Sequence, residues 1–253
     1  MNMRETDKIV VITDLCTPEA QSAAEYLSGL GYEIVTPPAE VHLWKEDELT
    51  AFTEPLKERL GAVIHPAPPI FKGGILEVSE EDWERTSNEG AIAAFIITKV
   101  FCTIFREKKG GTVIYLNSIH AEKPMGKGIL HSLNCGAVDM LSREAAQDYS
   151  ESGVNVFFVE RGITTTDDGK SDASALYFGT DMRYPRRETP KPDYLNGLLA
   201  FLLTDAAYPL SGQPIRCDAG MTGFYNQHRF KVEGREYFDF RKFREMQESS
   251  PRK

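Results

Sequence analysis

Ile9-Val10-Val11-Ile12-Thr13-Asp14-Leu15-Cys16-Thr17-Pro18-Glu19-Ala20 is the stretch on which the fold is decided. A short β-branched run enters a polar turn, and Ala20, Ala23, Ala24 and Leu27 then follow at helical spacing. Strand, tight turn and helix together form the unit that aims backbone amides and a helix N-terminus at a phosphate. A turn of the form T-G-x-x-x-G-x-G needs its glycines for the bend and for close approach of the amides. Here those positions hold Asp14, Pro18 and Ala20. Asp14 places a carboxylate beside a dianion, and Pro18 removes an amide donor and fixes φ. The stretch predicts a dinucleotide-binding scaffold whose cofactor contacts are gone.

The rest of the chain repeats the same alternation. Ile9–Ile12, Ile34–Val35, Ala62–Ile64, Thr112–Leu116 and Val154–Val159 read as short parallel strands, apolar on both faces. Helical patterns lie between them around Glu19–Ser28, Glu46–Leu60, Glu80–Phe105 and Leu133–Ser150. The expected fold is α/β, a single Rossmann-like doubly wound parallel sheet with helices on both faces, over residues 1–220. Thr164–Pro192, polar and rich in proline, is expected to be a loop or lid over the carboxyl ends of the strands. Met221–Lys253 is a charged, aromatic tail, in which Phe224, Tyr225, Phe230, Tyr237, Phe238, Phe240 and Phe243 stand among arginines and lysines. That mixture predicts docking on a neighbouring subunit, or contact with a polyanion such as a coenzyme A thioester.

Composition narrows the class. The chain has 253 residues and a net charge of −9, which argues against nucleic acid or an anionic membrane as the main partner. Cys16, Cys102, Cys135 and Cys217 are dispersed, without C-x-x-C, and read as reduced thiols. The N-terminus has no apolar signal core, no stretch reads as membrane-spanning, and a cytoplasmic location is expected. His42, His65, His120 and His228 show no ligand spacing, so no metal site is expected.

Further motifs carry a family resemblance. Gly110-Gly111-Thr112-Val113-Ile114-Tyr115-Leu116-Asn117-Ser118, Gly136-Ala137-Val138-Asp139-Met140-Leu141, Ala200-Phe201-Leu202-Leu203-Thr204-Asp205, Ser211-Gly212-Gln213 and Asp218-Ala219-Gly220 occur in order. With them, from about Lys8 to Gly220, the chain resembles the short-chain dehydrogenase/reductases. Gly162 to Thr166 is similar to that family's P-G-x-x-x-T, with Arg161 in place of proline. The resemblance implies an active-site pattern S-x12-Y-x3-K plus an upstream asparagine. Ser118 keeps the serine position; His131 stands at the tyrosine, Cys135 at the lysine and Gly90 at the asparagine. The acid expected after the second strand is replaced by Thr36-Pro37-Pro38, putting Pro38 at a cofactor position, and the family's "NNAG" reads His65-Pro66-Ala67-Pro68. The segment between these two strands is also short by about one helix of a usual crossover. Only Thr166 matches a nicotinamide contact.

Taken together, these changes predict a chain with no catalytic residues for hydride transfer, no cofactor and no metal. The expected role is the non-catalytic subunit of a heteromeric NAD-dependent dehydrogenase. A catalytically active paralogue would carry NAD, in an α2β2 assembly joined through helices Glu80–Phe105 and Leu133–Ser150. The nearly all-round apolar surface of Ala91, Ile92, Ala94, Phe95, Ile97, Thr98 and Phe101 supports an oligomer independently. The whole-chain pattern resembles the inactive subunits of the 2-(hydroxybenzyl)succinyl-CoA dehydrogenases of anaerobic toluene degradation, implying oxidation of a 3-hydroxyacyl-CoA in the partner. Two alternatives stay open: a stand-alone non-redox enzyme using Ser118, His131 and Cys135, and a homo-oligomeric binding protein for a small ligand.

Overall fold

The computed structural model describes residues 8–67, 70–71, 73–124, 128–164, 184–186 and 188–223. Six strands form one parallel sheet: β1 Ile9–Ile12, β2 Glu33–Val35, β3 Leu60–Pro66, β4 Gly111–Ser118, β5 Val154–Arg161 and β6 Pro214–Cys217. Their order across the sheet is β2-β1-β3-β4-β5-β6, so the crossover from β2 to β3 passes β1 and reverses the direction of winding. A crevice at the carboxyl ends of the strands follows from that reversal, and it is where ligands bind in open α/β sheets.

Alternation within the strands sorts the core into two layers. Val11, Val63, Val113, Tyr115, Val156 and Phe158 face one side, where α2 (Glu46–Thr53), α4 (Ala93–Lys108) and α5 (Ile129–Tyr149) cover them. Ile12, Ile64, Ile114, Leu116, Phe157 and Val159 face the other, under α1 (Pro18–Gly29) and α6 (Asn196–Leu202). Both faces are buried, which is why the strands read as unbroken apolar runs. The doubly wound α/β expectation is met.

Local chemistry sets the helix ends. Ala20 N donates to Thr17 Oγ1, and Pro18 takes the first helical position, where its missing amide leaves no broken bond. At α3 (Glu80–Ser87), Ser79 and Asp82 form a reciprocal capping box. The helix expected over Glu46–Leu60 is shorter than its pattern: α2 ends at Thr53, Glu54–Leu56 tightens to a 3-10 turn around Pro55, and β3 already begins at Leu60. The sixth strand and α6 lie outside the elements expected from the pattern. At Gly111 a Cβ would stand 2.2 Å from the Phe105 ring, so only glycine lets α4 return so closely onto β4.

The helix expected over Glu80–Phe105 is continuous but not regular. α3 passes through a π-helical turn, Asn88–Ile92, into α4. The run 80–108 is apolar enough to cross a membrane by composition, yet half of its most apolar window is buried in the fold, as a core helix is.

Candidate functional site

Three elements, β4, β5 and α5, meet at the carboxyl edge of the sheet. Ser118 ends β4 and Arg161 ends β5, and the two are partners in register. From α5 come His131 and Cys135, one turn apart, with Cys135 Sγ 3.5 Å from His131 Nε2. A backbone hydrogen bond from Ser118 reaches the Cys135 thiol, so Ser118, His131 and Cys135 form one cluster. Ser118 Oγ accepts from His120 N at 3.3 Å, and the His120 ring packs edge-on against His131 with centroids 5.8 Å apart.

Burial governs this cluster. His131 is only 3% exposed, and its buried Nδ1 has no hydrogen-bond partner among the described residues. Desolvation, then the charges of His120 and Arg161, push its pKa from 6.5 to about 4. The imidazole is therefore neutral at neutral pH. Desolvation also pushes the Cys135 thiol up to about 12, although Arg161 pulls the other way. A thiol so raised is protonated at neutral pH, which weighs against a Cys135 thiolate as nucleophile.

The turn after β1 is tied to itself. Cys16 N donates to Asp14 Oδ1 at 2.6 Å, and Cys16 Sγ donates to Asp14 Oδ2 at 3.0 Å. Desolvation and that carboxylate push the Cys16 thiol up to about 12. Ala20, fully buried, packs against the sheet in the space a glycine would leave open. Pro38 sits in the turn after β2, its carbonyl accepting from Val41 N. His65 reaches sideways to Thr13, with Oγ1 and Nδ1 2.7 Å apart, and joins the ends of β1 and β3. Burial pushes its pKa to about 4 as well. Among the described residues no group of acids, histidines and cysteines could hold a metal ion.

Two features escaped the sequence reading. The first is an asparagine at the bulge. A Cβ on Gly90 would lie 2.5 Å from Asn134 Cγ, because the Asn134 side chain fills the π turn from α5. Asn134 Oδ1 accepts from Ala91 N, and Nδ2 donates to Thr86 O and Leu130 O. The amide missing at position 90 is thus supplied by the neighbouring helix, and the adjacency of Asn134 to Cys135 was its one signal. The second is a cation. The substitution of cysteine for lysine implies a cleft without positive charge, but Arg161 enters it from β5, donating through Nη1 to Glu19 Oε1 at 2.9 Å. Its charge reaches Cys16, His131, Cys135 and Tyr194. Thr166, most of the expected lid (165–183 and 187) and residues 224–253 of the expected tail lie outside the described residues.

A six-stranded doubly wound sheet with a serine-bearing strand end facing α5 defines a short-chain dehydrogenase/reductase fold. The family described as enoyl-(acyl carrier protein) reductase matches residues 1–222, and the chain belongs to that family within the short-chain dehydrogenase/reductases. It is 23% identical over 217 residues to 5-keto-D-gluconate 5-reductase of Escherichia coli K12, covering 84% of this chain and 85% of that one. It is 24% identical over 155 residues to glucose 1-dehydrogenase 2 of Bacillus subtilis 168, where the match spans 60% of this chain and 59% of the relative. Among solved structures, ElxO with NADP bound superposes with a TM-score of 0.77 at 15% identity, covering 86% of this chain and all of that one. A gluconate 5-dehydrogenase from Burkholderia cenocepacia J2315, in complex with NADP and tartrate, gives 0.75 at 16%, covering 87% and 99%.

These findings correct two expectations. The chain was expected to be no enzyme on its own and to hold no cofactor. Its family and relatives are reductases and dehydrogenases, and structures sharing its fold carry NADP, so neither expectation stands. In place of glycine amides and a lysine the cleft holds the Arg161 guanidinium and the Thr164 hydroxyl, both donating to Glu19, the Ser118 hydroxyl, and the buried Nδ1 of His131.

Proposed function

We propose that this chain is an NAD(P)-dependent oxidoreductase that works in the direction of alcohol oxidation, with His131 as the proton acceptor. The observation that carries the reading is the buried Nδ1 of a neutral imidazole, without a hydrogen-bond partner among the described residues, beside the one retained family residue, Ser118. When bound, the nicotinamide supplies the two-electron acceptor. Ser118 receives the His120 amide on its Oγ and keeps its own proton to orient a substrate oxygen. In the tautomer whose Nε2–H points at Cys135 Sγ, the buried Nδ1 carries the lone pair, and a substrate hydroxyl meets it only where binding opens that side of the ring. The O–H proton would pass to Nδ1, and a bound nicotinamide would take the carbinol hydride, leaving a carbonyl. With its pKa lowered to about 4 the base form is fully populated at neutral pH, and the same burial makes it a weak base.

The same reading extends to assembly. Trp83, Ile92, Phe95, Leu133 and Met140, on α3, the π turn, α4 and α5, are large, apolar and exposed. They support pairing with a paralogue of the same family in an α2β2 complex. A bulky 3-hydroxyacyl-CoA, such as 2-(hydroxybenzyl)succinyl-CoA, is the substrate class to try beside sugar acids. The test is reduction of NAD+ or NADP+ by the purified chain, alone and with the paralogue, against secondary alcohols of both kinds. Turnover that is lost in His131→Phe is the expected result. Turnover that this variant leaves intact would overturn the assignment of the base.

A further inference from the structure

A buried base that takes a proton must also give it up, and one side chain of this cluster reaches from the buried ring to water. Ser118 ends β4 and caps the 3-10 turn Ile119–Ala121, its Oγ accepting from His120 N at 3.3 Å. That turn carries the His120 ring onto His131, edge-on, with centroids 5.8 Å apart and planes at 72°. His131 is buried, whereas His120 is half-buried and Glu122 and Lys123 just after it are exposed. The tautomer of His120 is set by its neighbour, because its Nδ1 lies 2.8 Å from Lys123 O. A carbonyl only accepts, so in the neutral ring the proton sits on Nδ1 and the lone pair on Nε2. Burial disfavours a charged His131, and the charges of His120 and Arg161 add to that. A proton on His131 is therefore held weakly, and moving it to a ring with access to water recovers hydration that burial denies. The mutual repulsion of the two rings also means that the pair carries one proton at a time.

We infer that His120 is the proton exit of this site: its Nε2 takes the proton that His131 Nδ1 has accepted and passes it to water. The inference rests on the reading of His131 as the base in alcohol oxidation. In the step, the Nδ1–H bond of the His131 imidazolium breaks, an Nε2–H bond forms on His120, and no electrons change hands. A ring rotation or one bridging water closes the gap between the two rings. His120 then releases its proton to solvent or buffer, and both rings are neutral for the next turnover. The role belongs to the side chain alone, because the amide that His120 donates to Ser118 Oγ survives every substitution except proline.

Two measurements on the purified full chain test this. In the first, the histidine ring nitrogens are isotopically labelled and their NMR shifts are followed across pH, without cofactor or substrate. Neutral His120 is expected to hold its proton on Nδ1, and the His131 signals are expected to move as His120 takes up a second proton. A proton on Nε2 of neutral His120, or His131 signals indifferent to it, would overturn the relay whatever the chain's activity. In the second, oxidation of a secondary alcohol by NAD+ or NADP+ is followed in dilute buffer with wild type, His120→Ala and His131→Phe. His120→Ala is expected to lower kcat by about 10²-fold, the low end of what a positioned proton-transfer group contributes, with KM unchanged. Added imidazole is expected to restore that rate, which a merely structural defect would not allow. A kcat unchanged in His120→Ala, or lowered beyond rescue by imidazole, overturns the relay; loss of turnover in His131→Phe in the same assay then leaves the base reading standing. Turnover that persists in His131→Phe, or is absent from the wild type, overturns the base reading and the relay with it.

Discussion

His131 and His65 have charge states set by burial, and that has a consequence for stability. Both imidazoles are pushed from 6.5 to about 4, chiefly by desolvation. Between those two values the unfolded chain binds more protons at these positions than the folded chain does. Stability therefore rises with pH through that window and is lost as pH falls from 6.5 toward 4. Glu160 acts in the opposite sense: burial raises its carboxyl pKa, so the folded chain keeps a proton that the unfolded chain releases, and stability declines with rising pH above its ordinary 4.5. Two imidazoles shifted to about 4 outweigh one carboxyl held by Arg216. Thermal melts across the window are expected to show a falling Tm on acidification, with His131→Phe removing roughly half of the dependence. A flat profile would mean that the histidines are solvated. In the oxidation assay the same variant is expected to lose about 10²–10⁴-fold in turnover, the usual contribution of a positioned base. The thiols give a third test. With Cys16, Cys102 and Cys135 all pushed up to about 12, neutral iodoacetamide is expected to leave them unlabelled in the native chain and to label them after unfolding.

The π turn between α3 and α4 is a joint whose two halves were exchanged. Gly90 leaves the space, and Asn134 fills it while receiving Ala91 N–H and donating to Thr86 O. Asn134→Ala strands those groups and is expected to cost about 2–3 kcal/mol by denaturant titration. Gly90→Ala alone forces a Cβ into the Asn134 amide and is expected to destabilise by about 1–3 kcal/mol. In the Asn134→Ala background the same change has room and gains helix propensity, so its sign is expected to reverse. Additive behaviour would show that the two side chains do not share one space. This joint also marks the limit of what the sequence makes legible. Ile9–Ile12 or Val154–Val159 announce themselves because a strand buried on both faces is apolar throughout. Pro214-Ile215-Arg216-Cys217 does not, because an edge strand of four residues with a proline and a charge resembles a turn. Ser118, His131 and Cys135 could be placed by counting along family spacings, and the structure does bring them together. Asn134 against Gly90, and Arg161 against Glu19, are pairings across 44 and 142 positions, and no local pattern encodes them.

Between neighbouring chains the decisive feature is the apolar surface left over after the core is built. Ala94, Ile97, Thr98 and Phe101 of α4 turn into the sheet, which accounts for one side of that helix. Phe95, 54% exposed, lies on its other side, with Ile92 one turn before it. α5 repeats the arrangement: His131, Asn134, Cys135 and Val138 are buried, while Leu133 and Met140, seven residues apart, are exposed. Large side chains repeated at helical spacing on two packed helices are more than the scattered apolar residues any surface carries. A stable pairing needs about 800 Å² per partner, which two helices of this length can provide. Because α5 also carries His131, Asn134 and Cys135, assembly through its outer face would stiffen the helix that positions the base. The expected result is a native mass above that of one chain, highest when the paralogue is co-expressed. Phe95→Asp with Leu133→Asp should reduce the assembly to single chains and lower turnover, while leaving the thermal melt of the single chain intact. A wild-type chain that stays monomeric with and without the paralogue at high concentration would end the assembly proposal.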